Sequence, residues 1–243
     1  MAHGVGSLLL TCEHARNLVP QGVELGVDRE VLESHVSFDR GALEVTRLVA
    51  GATGVQHLGG SWSRLVVDLN RSPRAREAVA PVSFGVDIPG NRLLSPRDRR
   101  RRLLSWHLPF RRRVLGAVRH RVDRSGRCLH WSIHTFTDRL GEEVRDYDLG
   151  ILFDPSRPAE VQAARMLVPE LQAHGYPTRE NEPYPGVADG MTTWLRTRYG
   201  DSQYAGLEVE ISSRVVGREG TRGLSLLLAR LATPCLARTF RRS

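Results

Sequence analysis

Two hydrophobic patterns alternate along the chain. Short apolar runs bounded by turn residues predict strands at Ser7–Cys12, Val55–Leu58, Arg64–Leu69, Cys128–His134, Leu149–Phe153 and Leu207–Ile211. Longer amphipathic stretches predict helices at Asp28–Ser34, Arg40–Thr53, Pro96–Val122, Pro158–His174, Met191–Tyr199 and Arg222–Ala237. Ser95-Pro96 reads as an N-cap followed by proline in the first turn. Pro109 and Pro169 are expected to kink or split their helices. Strands alternating with helices predict an α/β fold: one three-layer α/β/α domain over 1–243, around a mixed, mostly parallel sheet. The stretch 71–91 is long, polar and marked by proline and glycine, the signature of a functional or mobile loop.

Polar residues gather where such sheets bind ligands, at the carboxyl ends of strands. The run TCEHARNLVP (11–20) turns from LLL to Glu13, His14 and Asn17. Asp68, Asn70 and Arg71 follow SRLVV, His134 follows CLHWSI, and Glu210 ends LEVE. Four predicted strands thus aim ionisable groups at one edge.

Composition narrows the class. Of 243 residues, 40% are hydrophobic, enough for a sizeable core, and 26% are charged, as in ordinary globular proteins. No apolar run reaches the roughly 18–20 residues of a membrane span. The start, MAHGVGSLLL, lacks the basic region of a signal peptide. A soluble, cytoplasmic protein is expected. Cys12, Cys128 and Cys235 are far apart and form no CxxC pair, so reduced, buried thiols are expected rather than a disulfide framework. The formal charge of +8 comes entirely from arginine, since the chain has no lysine. RDRRRR (97–102) and FRRR (110–113) raise the alternative of a nucleic-acid or other anionic partner. Leu104, Leu108, Leu115 and Val118 recur at near-helical spacing, so the arginines are expected mostly on a solvated face and no nucleic-acid partner is expected.

The motifs then admit specific chemistry. Neutral imidazoles are common zinc ligands, and His14 and His134 at separate strand ends could share an ion or serve as core and capping residues. Asp39 in HVSFDRGA is either a third ligand or the N-cap of the next helix, and Glu13 and Asn17 compete for the ligand role. In SRLVVDLNR, Arg64 and Arg71 offer guanidinium forks for carboxylates, Asn70 a neutral donor, and Asp68 an ion pair with Arg71. Glu208 and Glu210 lie two apart and so share a face, as a solvated pair or with one acting as general base. Asp189 or Thr193 reads as the cap of the helix that follows ENEPYPGVADG.

Seven segments in order, TCEHARNLVP, HVSFDRGA, SRLVVDLNRS, VDIPGN, SIHTFTD, NEPYPGVADGMT and LEVEIS, resemble the N-formylglutamate amidohydrolase family, itself similar to the zinc carboxypeptidases and aspartoacylases. The resemblance implies a zinc-carboxypeptidase-like fold and a Zn²⁺-dependent amidohydrolase acting on a small N-acyl amino acid, N-formyl-L-glutamate first. It further implies His14, Asp39 and His134 as metal ligands, Glu210 as base and Arg64 as the polarising group. Asn70 and Arg71 would then hold the substrate carboxylate. In the carboxypeptidase HxxE pattern the second ligand is a glutamate; here HARN (14–17) places Asn17 there, which favours Asp39 as ligand and leaves Asn17 to the substrate. Asp138 in HTFTD and Ser212 in EIS depart from the proline and arginine common in the family. Those departures raise a second expectation, a deacylase or carboxypeptidase of the same scaffold with another N-acyl amino acid or peptide as substrate.

Overall fold

The computed structural model describes residues 5–216 and 220–240. Its principal elements are β1 (Leu8–Cys12), α1 (Ala42–Thr53), β2 (His57–Gly59), α2 (Pro96–Arg102), α3 (Leu108–Ser125), β3 (Cys128–Phe136), β4 (Leu149–Leu152), α4 (Pro158–Ala173), β5 (Thr178–Glu180), α5 (Met191–Arg196), β6 (Tyr204–Ser212) and α6 (Gly220–Thr239). One sheet runs in the order β2-β1-β3-β6-β4-β5. Only β4 pairs antiparallel, with β6; the other pairings are parallel. The predicted α/β class and mixed, mostly parallel sheet are therefore present.

Strand periodicity separates two cores. Leu129, Trp131 and Ile133 of β3 and Leu207, Val209 and Ile211 of β6 face α1, α4 and α6. The alternate residues face α3, α5 and the segment 64–69, whose Leu65, Val66, Val67 and Leu69 are buried there. Cys12, Cys128 and Cys235 are free and buried, as expected. Among the described residues, no helix is long and apolar enough to cross a membrane.

Four local readings change. Arg64–Leu69 is a run of turns, not a strand. A buried backbone must find hydrogen bonds, and here side chains supply them in place of a neighbouring strand. Asn91 Nδ2 donates to Leu65 O (2.8 Å), Arg102 to Val66 O (3.2 Å), and Arg111 (2.9 Å) to Arg71 O, which His107 Nε2 also meets at 2.8 Å. The arginine clusters are mostly solvated, as expected, with Arg97, Arg100, Arg101, Arg112 and Arg113 exposed. Arg102, Arg111 and Arg121 point inward and are buried, whereas Leu104 is exposed. A π-helical turn at Leu103–His107, just before Pro109, rotates the buried face to Leu103, Phe110, Val114 and Val118. Pro169 leaves α4 continuous. The edge strand β5, only three residues long, carries no run that periodicity alone detects.

Candidate metal centre

β1 runs out at Cys12 and delivers Glu13 and His14. β3 presents Ser132 and His134 on one face, and β6 lies alongside in register, with Glu208 opposite Ser132 and Glu210 opposite His134. Asp39 comes from the connection before α1, tied down by its own N–H donating to His14 O at 2.9 Å. It does not cap that helix. The N-cap is Gly41, whose positive φ of 84° suits glycine, and the Asp39 carboxylate is left to turn inward.

The three side chains converge. Asp39 Oδ2 lies 2.8 Å from His134 Nδ1 and 3.4 Å from His14 Nδ1, and one ligand atom from each residue falls within 4.8 Å of the others. Each imidazole is also held from behind. His14 Nε2 meets Asp68 Oδ1 at 2.7 Å, and His134 Nε2 meets Ser132 Oγ at 2.9 Å and Glu13 Oε2 at 3.3 Å. Ser132 Oγ in turn donates to Glu13 Oε2 at 2.5 Å. A carboxylate behind each histidine is the usual way to orient an imidazole ligand. Glu13, a competitor for the ligand role in the sequence, thus stands behind His134, and Asp68 pairs with His14 rather than with Arg71.

The electrostatics favour a cation. Burial would raise the carboxyls of Asp39 and Glu13; Arg64 and both histidines outweigh it for Asp39, which is held well below its ordinary value, and His134 does so for Glu13, held at about 2. Burial would likewise lower His134, but Asp39 and Glu13 raise it well above the ordinary imidazole value. Glu210 is pushed up to about 7 by burial, the opposing influence of nearby His134 notwithstanding. Glu13 Oε1 and Glu210 Oε2 are buried without a hydrogen-bond partner. Two imidazole nitrogens, one carboxylate and unfilled carboxylate oxygens around them suit a divalent ion such as zinc.

A cavity of about 220 Å³ opens onto this centre and is lined by Arg64, Asn70, Arg71, Glu208 and Glu210 among others. Arg64 ion-pairs with Asp39 through Nη2, while its buried Nε has no partner. Asn70 Oδ1 accepts the Met191 N–H at 2.6 Å, capping α5 in place of the expected Asp189 or Thr193. Arg71 Nη1 donates to Asp189 O at 2.8 Å. Asn17 is half-buried and does not line the cavity. The sequence did not assign Asp68, Glu13 and Ser132 as supports behind the histidines. Their only sequence signals are adjacency for Glu13 and the two-residue spacing of Ser132 from His134.

The chain matches the family model described as N-formylglutamate amidohydrolase over residues 6–216. The crystal structure of a gene product from Agrobacterium tumefaciens is similar at 30% identity, with 97% of this chain and 92% of that one covered and a TM-score of 0.85. The crystal structure of an N-formylglutamate amidohydrolase from Ralstonia eutropha shares the fold at 18% identity, a TM-score of 0.69 and coverage of 96% and 94%. No curated protein matches the chain.

Proposed function

The chain belongs to the N-formylglutamate amidohydrolase family and is an amidohydrolase, and from that premise we propose that it is a zinc-dependent enzyme cleaving the amide bond of a small N-acyl amino acid. One observation carries the reading: His14, Asp39 and His134 converge within 4.8 Å, with a carboxylate behind each imidazole. When bound, a divalent ion acidifies a water toward a pKa of about 7 and polarises the scissile carbonyl. His14, Asp39 and His134 would hold it, and Asp68 and Glu13 would fix the imidazoles that do so.

The remaining steps belong to this chain's side chains. Glu210, with a carboxyl pushed up to about 7, is poised to take a proton from the attacking water near neutral pH. As the water oxygen bonds to the acyl carbon and the carbon–nitrogen bond breaks, Glu210 passes that proton to the leaving amine. Arg64, with its unpartnered Nε, donates to the developing oxyanion, a contribution on the order of 3–4 kcal/mol per donor in other enzymes. Asn70 Nδ2 and the Arg71 guanidinium grip the substrate carboxylate.

N-formyl-L-glutamate is the first compound to test. Purified protein should carry one divalent ion per chain, release formate from this compound, lose the activity on chelation and regain it with Zn²⁺. Deformylation that survives exhaustive chelation would refute the metal mechanism. A second reading, another N-acyl amino acid as the substrate, is favoured by Glu208, a further carboxylate in the cavity wall.

A further inference from the structure

Glu208 and Asp189 are the cavity carboxylates that the chemistry above leaves idle, and Glu208 is the one carried by the strand of Glu210. It shares the cavity face of β6 with Glu210, one pleat back along the strand. Its Oε1 accepts the Thr192 hydroxyl at 2.9 Å, a neutral partner. None of the ion pairs among the described residues involves it. No cationic side chain among the described residues therefore lies within ion-pairing distance of it.

Its position relates it to the substrate. A Cβ built on Gly190 would lie 2.9 Å from Glu208 Oε1, 3.3 Å from Asn70 Oδ1 and 3.6 Å from Asn70 Nδ2. The Glu208 carboxylate and the Asn70 amide thus lie together on the side of Gly190 where a side chain would stand. A substrate seated in this cavity against Asn70 and Arg71 therefore lies beside Glu208.

The charges in the wall then discriminate. Of the two arginines that line the cavity, Arg64 is paired with Asp39, which leaves Arg71 for one substrate carboxylate. A second carboxylate, as on a glutamate side chain, finds no further arginine in the lining and meets Glu208 and Asp189. Like charges brought together in a cavity wall are disfavoured, and an opposite charge there is selected.

We propose that Glu208 sets the side-chain specificity of this site and selects an N-acyl amino acid with a cationic side chain, of the arginine or lysine class. This rests on the hydrolysis reading above and names the substrate class within it. The test compares N-formyl-L-arginine, N-formyl-L-leucine and N-formyl-L-glutamate on zinc-loaded wild type, Glu208→Gln and Glu208→Arg. In wild type, kcat/KM should favour the arginine compound over the glutamate compound by at least about tenfold, the leucine compound falling between. Glu208→Gln should collapse that ratio, the loss appearing in KM rather than kcat, and Glu208→Arg should invert it. A preference for the glutamate compound that Glu208→Gln leaves in place overturns the assignment while upholding amide hydrolysis. Absence of turnover on all three compounds refutes the hydrolysis reading instead. Calorimetric titration with L-arginine and L-glutamate then still decides on Glu208. Tighter L-arginine binding that Glu208→Gln abolishes supports the assignment, and equal binding of the two overturns it.

Discussion

His130 and His134 lie four residues apart on the same face of β3, both buried, yet they are different kinds of histidine. His130 touches neutral groups, with Nε2 2.8 Å from Thr11 Oγ1 and Nδ1 2.8 Å from Tyr204 Oη. Burial pushes its pKa down to about 4. His134 is equally buried, but Asp39 at Nδ1 and Glu13 at Nε2 push it the other way. Burial alone makes an imidazole a neutral piece of scaffold; carboxylates at both nitrogens orient it and favour positive charge there. The distinguishing feature is what each nitrogen faces, not depth or strand position.

The largest effect should come from breaking the ligand side of this comparison. His134→Ala is expected to reduce amide hydrolysis on the order of 10³-fold or more, since the ligands and the base act as a unit. Bound metal should be lost while circular dichroism keeps the wild-type helix and strand signal; retained activity would make His134 a scaffold residue like His130. A smaller change should follow from loosening the supports behind the histidines. Asp68→Asn and Glu13→Gln should each weaken metal affinity about 10–100-fold, read by competition with a chromophoric chelator. An unchanged Kd would show that these carboxylates do not orient the imidazoles.

The smallest effect belongs to the scaffold histidine. His130→Leu leaves the Thr11 and Tyr204 hydroxyls buried without their partner and should cost about 1–3 kcal/mol in urea unfolding, with metal content unchanged. The folded pKa of about 4 lies below the ordinary 6.5, so between these values the unfolded chain binds the extra proton. The stability that neutral His130 contributes is complete above 6.5 and is lost as pH falls toward 4. The advantage of wild type over His130→Leu should therefore shrink across that window, and an advantage independent of pH would contradict the assignment of a depressed pKa.

Much of the scaffold was legible because it follows from local pattern. β1, β3 and β6 were placed by apolar runs, and α1, α4 and α6 by amphipathic spacing, within a few residues of their observed bounds. The segment 64–69 was misread for a physical reason. Its LVV core has a strand's composition, but the carbonyls of Leu65 and Val66 are satisfied by Asn91 and Arg102 reaching in from elsewhere, as Arg111 satisfies the carbonyl of Arg71 just beyond, which no local window contains. The same remote contacts bury Arg102 and Arg111, the two exceptions in clusters that otherwise face solvent as their helical spacing implies. At the site, the sequence singled out His14, Asp39 and His134, and the fold brings them together. It could not tell Asp39 as ligand from Asp39 as cap, because that choice turns on whether Gly41 takes the N-cap.

What the sequence alone determined is the set of elements and the chemistry placed at their ends: a β-strand has period two, so Ser132 and His134, or Glu208 and Glu210, must share a face wherever the strand goes. What only the tertiary structure decided is pairing. Asp68 stands behind His14, Glu13 behind His134, and Glu208 stands beside Asn70 with no cation. These relations join residues up to more than a hundred positions apart, and interactions between charges depend on distances of a few ångströms in a buried medium, which chain order does not encode.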